Sequence, residues 1–328
     1  MNKGSPKLVN ADQCGSMEKR SSLGLFLANK PACLGAITLA ILIGIVITWP
    51  IALKIAPLFG QEGQAFAITY HPLALSDDQF QAPSVKHWFG TDVHGRDLFS
   101  RVVYGTGISI LVGITGALIS LIIGVAWGTV AGYAGGRIDT IMMRIVDVLY
   151  SMPGIIVVIV LVTTSERFVG DKLAAIIPTA KTMTRFLTLI IGLGAVSWLT
   201  MARIIRAQVL SLKNLPFIDA AKVLGASHSR IIFRHIIPNV LGIAIVYWTL
   251  TVPSIVLYES FLSYLGLGIQ PPMASLGSLI AEGVEQINPV KVYWWLIVCP
   301  GAVLLALLVS LNLVGDGSRD ALETKRLT

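Results

Sequence analysis

Charge is scarce in this sequence. Asp, Glu, Lys and Arg make up only 13% of its 328 residues, against about 25% in ordinary soluble domains. With 54% hydrophobic residues and a mean hydropathy of +0.75, that scarcity excludes a water-soluble globular domain and places the chain in a bilayer. Cysteine is almost missing: Cys14, Cys33 and Cys299 are scattered and odd in number, so no disulfide framework or metal-ligand spacing is legible. No Gly-x4-Gly-Lys-Ser/Thr phosphate cradle occurs, which excludes ATP hydrolysis by a P-loop in this chain. No His-Glu-x-x-His occurs either, and His71, His87, His94, His228 and His235 all fall outside the apolar runs, arguing against an intramembrane zinc enzyme. A nucleophile-base pair for a membrane enzyme is not legible. The net charge of +7 is carried by segments between apolar runs without interleaved aromatics, which excludes nucleic-acid binding.

What is present is length in apolar runs. A spanning helix needs roughly 20 mainly apolar residues, and six windows qualify: 34–53, 108–131, 141–162, 186–207, 240–260 and 294–314. The third is the weakest, with Arg144 and Asp147 in its first turns and Ser151-Met152-Pro153-Gly154 interrupting it. Such an interruption is tolerated only where neighbours satisfy the freed backbone groups, so this helix is expected inside the bundle. Sixteen of the 25 Lys and Arg residues collect on one side of these spans and nine on the other. The richer side is expected to face the cytoplasm, with both termini there. The polar residues 1–33 are expected to be mostly disordered, and the first run reads as an uncleaved anchor. The 54–107 segment, long for a hairpin, reads as an external subdomain.

Ionisable residues near a membrane are functional suspects. Asp147, three residues after Arg144, is expected either to pair with it or to contact a neighbouring helix that moves. Glu259, near the outer end of the fifth span, is expected to be solvated or to gate. Gly266 and Gly268 give the next turn backbone freedom, as a hinge or a tight connection. Trp49, Trp294 and Trp295 read as interfacial anchors.

The stretch DAAKVLGASHSRIIFRHIIPNVLG, residues 219–242, interrupts the apolar runs with a short basic passage. Pro216 suits a helix's first turn and Gly225 its C-terminal stop. Between them a short helix is expected, with Ile218, Ala221 and Leu224 on one face. A helix of that length is marginal alone in water and needs a packing partner. The small pair Ala220 and Ala221 permits close approach. Ser227 suits the cap of a second helix through Ile231, Ile232 and Phe233 that ends near Pro238. Two readings stay open on these residues alone: a helix lying under lipid headgroups beside Arg230 and Arg234, or an element held by another protein.

The order Asp219-Ala220-Ala221, Gly225 and Ile237-Pro238 resembles the EAA loop of the membrane subunits of bacterial ATP-driven importers, with Asp219 for the usual Glu, His235 for Ile and Ile237 for Leu. HWFGTDVHGRDLFSRVVYGTGIS, residues 87–109, is similar to the outer-loop signature of the second-type (C-type) subunits of the oligopeptide and dipeptide permease family. Gly107 departs from it, standing where that family usually has Arg. ESFLSYLGLGIQPP (259–272) and GDGSRDALETKR (315–326) resemble the end of that family's fifth helix and its C-terminal ending. The resemblance runs from the first span to the end of the chain.

That resemblance implies an all-α polytopic membrane protein with six transmembrane helices and the binding-protein-dependent importer permease fold. It implies a cytoplasmic tail (1–33), a first helix (34–53), an external region (54–107), a five-helix core (108–314) containing a coupling loop (211–239), and a cytoplasmic tail (315–328). Asp219, Ala220, Ala221, Leu224, Gly225 and Pro238 would couple to an ATPase, while Asp147, Pro153, Glu259, Gly266 and Gly268 would be gating or path residues. The implied partners are a second permease subunit, two cytoplasmic P-loop ATPase subunits carrying the ATP and Mg, and an external substrate-binding protein, all at a bacterial inner membrane. No cofactor is expected on this chain itself, and no enzymatic site. The implied function is peptide import; nickel or another small solute on the same machinery is the alternative. An ion-driven secondary carrier is a second class, expected to show inverted repeats and broken helices bearing coordinating groups at the midplane. Only Pro153-Gly154 hints at this, without charge at that depth. A scaffold that holds a cytoplasmic partner is a third.

Overall fold

The apolar runs become helices that gather around one long, glycine-studded helix. The computed structural model describes residues 22–165, 167–168, 180–288 and 291–327. The elements are α1 (Ser22–Ala28), α2 (Lys30–Ile55), a 3₁₀ turn (Ala56–Phe59), α3 (Gln61–Thr69), α4 (Leu98–Ala134), α5 (Gly136–Ser151), α6 (Gly154–Ser165), α7 (Ala180–Leu212), α8 (Pro216–Val223), α9 (His228–Ile231), a π turn (Ile232–Ile236), α10 (Ile237–Tyr264), α11 (Leu276–Glu285) and α12 (Trp295–Leu327). Among the described residues there is no strand, only a single bridge between Thr91 and Asp97. Among the described residues five helices are long and apolar enough to cross a membrane, and six if the bent pair α5–α6 is one span.

α4 is the axle of the bundle. With little hydrophobic drive between helices in lipid, close backbone approach carries the packing, and glycines on α4 provide it. A Cβ on Gly128 would lie 2.5 Å from the Ala202 carbonyl oxygen, and one on Gly124 2.5 Å from Met201 Cβ, so α7 lies directly on this face. Gly113 serves α10 likewise, against Val256. α1 and the far part of α12 meet at one end of the bundle, where Asn29 Nδ2 donates to Asp320 at 3.3 Å. This end, which also holds α8, is called proximal below; α3, the 70–97 loop and α11 form the distal end. Two cores result. The distal one contains Val112, Leu189, Ile255, Val256, Leu276 and Leu296. The proximal one contains Ile205, Val209, Ile218, Ile231, Ile236 and Val240.

Several boundaries differ from the sequence expectations. The first span begins at Lys30 rather than 34, behind a short helix, and the expected disorder of residues 1–21 lies outside the described residues. α4 starts at Leu98, ten residues before the expected 108, because Asp97 caps it by accepting from the Ser100 amide. The external region is correspondingly shorter than 54–107. The third span is two helices bent by 83° at Met152-Pro153. The second proximal helix does not end near Pro238 but runs through the π turn into α10, with Pro238 in that helix's first turn. The 315–328 tail is a continuation of α12 to Leu327. Most of the 163–185 connection lies outside the described residues.

Candidate functional site

The proximal helix α8 is short and two-faced. Pro216 opens it, its missing N–H costing nothing at that position. At the other end the Ala226 amide donates to Ala221 O (3.0 Å) and the Gly225 amide to Lys222 O (2.9 Å), a Schellman stop. Gly225 sits at φ +77° with nothing near its Cβ position, so glycine is required there for conformation alone. Ile218 and Ala221 point into the proximal core against α7, α9 and α10. Leu224 does not share that face as expected: the stop rotates it away, and both Val223 and Leu224 are 87% exposed. Phe217 and Phe233 are exposed beside them. Asp219 and Ala220 face outward too, Asp219 accepting from Lys222 Nζ at 2.9 Å.

Two bonds tie this unit to the end of α4. Tyr133 Oη and His228 Nδ1 are 2.7 Å apart, and Lys213 Nζ donates to Gly132 O at 2.9 Å. Ser227 caps α9, accepting from the Arg230 amide at 3.4 Å. α8 therefore packs with α7 and α10 in one cluster, and the residues flanking it are bonded to the end of α4.

α7 also carries the link to the broken span. Arg206 grips Asp139 of α5 with two N–H groups, its Nη2 at 2.6 Å from Oδ2. Three residues earlier Arg203 donates to Asp147 at 2.9 Å and lies 4.1 Å above the Tyr150 ring. Asp147 thus takes its partner from α7 and not from Arg144. Pro153 then breaks the span, and Gly154 lets α6 close on α7, since a Cβ there would lie 2.5 Å from Val196 Cγ1. Beside the break opens a cavity of about 600 Å³, lined from α5, α6, α7 and α10.

The distal end is held by buried polar groups. Glu259 is 0% exposed, which overturns the expectation of a solvated carboxyl. Ser109 of α4 donates to it at 2.9 Å, Ser263 at 2.7 Å and Ser260 at 3.3 Å. Ser263 Oγ also accepts from the Ile269 amide, and Gly268 packs so close that a Cβ would lie 2.2 Å from that oxygen. Gly266 at φ +73° ends α10 with the Leu267 amide bonded back to Leu262 O. Arg185 donates to the carbonyls of Gly266 and Gly268. The two glycines therefore make a tight, pinned connection.

The 87–109 motif folds as a clasp. Asp92 accepts from Arg96 and from Arg101, each at 2.7 Å, and Arg101 reaches on to Glu282 of α11 at 2.6 and 3.0 Å. Asp97 caps α4 while its other oxygen lies 2.8 Å from His87 Nδ1. Gly90 and Gly95 take positive φ, and a Cβ on Gly95 would fall 2.1 Å from Ser76 O. Gly107 faces α2, 3.0 Å from Val46 when given a Cβ. Trp295 is not an interfacial anchor: it is buried and donates to Thr91 O at 3.3 Å. Trp49 sits among Phe66, Tyr70, Trp88 and Phe99 and donates to Ser100. At the loop's edge Lys86 donates to Asp78 at 2.8 Å, which holds that carboxyl below its usual range. Tyr70 donates to the Lys86 carbonyl, and burial raises its phenol. Sequence reasoning missed Glu282 and the hydroxyl cradle of Glu259. The only local signal for the first was the apolar stripe of Leu276 and Leu279 that α11 buries.

A crowded helical bundle with a broken span, a cavity beside it and a short two-faced helix at one end is the architecture of a polytopic membrane protein. Residues 124–327 match the family described as binding-protein-dependent transport system inner membrane component, and the chain belongs to that family. It is 37% identical over 326 residues to the oligopeptide transport system permease protein OppC of Bacillus subtilis, spanning 98% of this chain and 96% of that one. It is 42% identical over 302 residues to the protein of the same name from Haemophilus influenzae, covering 92% of this chain and 86% of that one. The dipeptide transport system permease protein DppC of Bacillus subtilis is 44% identical over 248 residues, 76% of this chain and 72% of the relative. In fold the chain is similar to a chain of the MetNI methionine ABC transporter in an inward-facing conformation, with a TM-score of 0.50 and 18% identity over 70% of this chain and 97% of that chain.

Proposed function

We propose that this chain is the membrane subunit of an ATP-driven peptide importer, paired with a second permease subunit and served by an external binding protein. The names of its relatives support the peptide substrate. Two P-loop ATPases, which carry ATP and Mg, grip α8 and its counterpart on the cytoplasmic side, where both termini also lie. The observation that carries this reading is the exposed apolar end of α8. Val223 and Leu224 stand 87% exposed on a helix whose other face is locked into the proximal core. A lone short helix that met only water would present polar residues there, and contiguous exposed apolar surface marks an interaction site.

In this mechanism ATP binding acts through its different affinity for two arrangements of the subunits. Closure of the ATPases shifts α8 as one body with the proximal core. α7 carries the shift through Arg203 and Arg206 to Asp147, Tyr150 and Asp139, and so to the break at Pro153. The buried clasp and Glu259 hold the distal end while the proximal half moves. The reaction on ATP belongs to the partners; this chain supplies the lever and half of the path.

Leu224→Glu in the assembled transporter tests the coupling. Uptake of radiolabelled trialanine is expected to fall at least about tenfold, since a charge would take the place of the apolar contact proposed with the ATPase, while the amount of the subunit in the membrane stays unchanged. Undiminished uptake would remove the coupling role. Collapse of uptake by a protonophore at undiminished ATP would favour the ion-driven carrier.

A further inference from the structure

The cavity beside the broken span has an unusual wall for a site that would pass peptides. It is about 600 Å³, within the 300–1,000 Å³ range of small-molecule sites. No charged residue lines it among the described residues. Its apolar wall is interrupted by the hydroxyls of Tyr150, Thr200, Tyr247, Ser254 and Tyr258. None of these five hydroxyls has a hydrogen-bond partner among the described residues, whereas the neighbouring Ser197 and Thr251 are occupied by helix carbonyls. The nearest charges, Arg203 and Asp147 at the proximal edge, cancel one another at 2.9 Å.

Chemistry follows from that composition. A fixed charge in a low-dielectric wall would hold solutes of one sign and reject the other. A hydroxyl both donates and accepts, and turns to suit either need. The groups that every peptide presents regardless of sequence are the main-chain N–H and C=O, an obligatory donor and acceptor at each residue.

We propose that this cavity is a solute-contact site, in which the hydroxyls of Tyr150, Thr200, Tyr247, Ser254 and Tyr258 hold the main chain of a short peptide without regard to side-chain charge. The proposal depends on the peptide-import reading and deepens it. Tyr150 joins the two: its ring lies under Arg203, so the lever that moves α7 also moves a wall of the site.

The test measures initial uptake of labelled trialanine, trilysine and triglutamate by cells carrying the whole transporter as their sole peptide uptake route. Each variant is normalised to the subunit present in the membrane. Tyr150→Phe, Tyr247→Phe and Tyr258→Phe together are expected to lower uptake of all three peptides alike, by roughly tenfold or more given about 1 kcal/mol per lost hydrogen bond. Ser254→Glu is expected to lower triglutamate uptake relative to trilysine by about tenfold, a selectivity the wild type lacks. If any variant fails to accumulate, Ser254→Cys in a cysteine-free background replaces it. A thiol-reactive tripeptide should label that position, and excess trialanine should protect it. Wild-type uptake of none of the three peptides would sink both this inference and the importer reading. Normal uptake by the triple variant, unchanged charge preference in Ser254→Glu, or labelling without protection would overturn the inference alone.

Discussion

The two ends of this bundle solve opposite problems. At the distal end, polar and charged side chains are matched and mostly withdrawn from water. Arg101, 4% exposed, bridges Asp92 and Glu282, and Asp97 meets His87. At the proximal end two of the ion pairs lie in solvent, Lys222–Asp219 and Arg203–Asp147 each being more than a third exposed on both sides, while Arg206–Asp139 is largely covered. Val223 and Leu224 at the end of α8 are left bare there. A buried matched network over-determines one geometry, because removing any member strands the others. Exposed pairs and an uncovered apolar helix leave the geometry free to follow a partner. In the proposed mechanism that difference puts rigidity in the distal half and response in the proximal half.

Breaking the clasp should have the largest effect. Arg101→Ala takes from buried Asp92 one of its two guanidinium partners and cuts the main link to Glu282, at a cost of about 3 kcal/mol, and loss of folded subunit in a thermal-unfolding assay of the detergent-solubilised protein is expected. A drop no larger than that of a surface variant would erase the contrast between the ends. Gly225→Ala should follow, since its φ of +77° costs a side chain roughly 1–2 kcal/mol. There the expected readout is reduced uptake with a small fall in unfolding temperature. Arg203→Ala should divide the two properties. Its partly exposed pair contributes at most about 1 kcal/mol to stability after solvent screening, whereas the uptake rate should fall several-fold through the loss of the α7–α5 link. A stability loss rivalling Arg101→Ala would reverse the comparison. Lys86→Ala, at the exposed edge, should be the smallest of these changes. The Lys86 contact holds Asp78 low, so whatever it contributes is present above the ordinary carboxylate range and fades as pH falls through the folded value. At neutral pH a small fall in unfolding temperature is expected, and it should disappear in acid.

How much could be read beforehand follows the same division. The spans were legible because long apolar runs have one stable form in lipid. α8 was legible because Pro216 and Gly225 mark its limits by backbone chemistry alone. The face assigned to Leu224 was wrong because helical periodicity stops one residue before the Schellman turn. α4 was cut short because Ser100 and Arg101 look like loop residues until their distal partners are present. For Asp147, local spacing offers Arg144 beside the alternative of a neighbouring helix, and its partner lies 56 residues away on α7. Glu259 looked solvated because hydroxyls at 109, 260 and 263 carry no charge to advertise a buried acid. Local rules located elements; the pairings that join elements became visible only in three dimensions.

The lever itself can be put to trial with a cysteine at position 224 in a cysteine-free chain, carrying a photoactivatable cross-linker, within the membrane-embedded transporter. The account predicts a covalent adduct with a nucleotide-binding polypeptide and poor labelling of that cysteine by a water-soluble thiol reagent. Full labelling by the soluble reagent in every nucleotide state, with no such adduct, would contradict it.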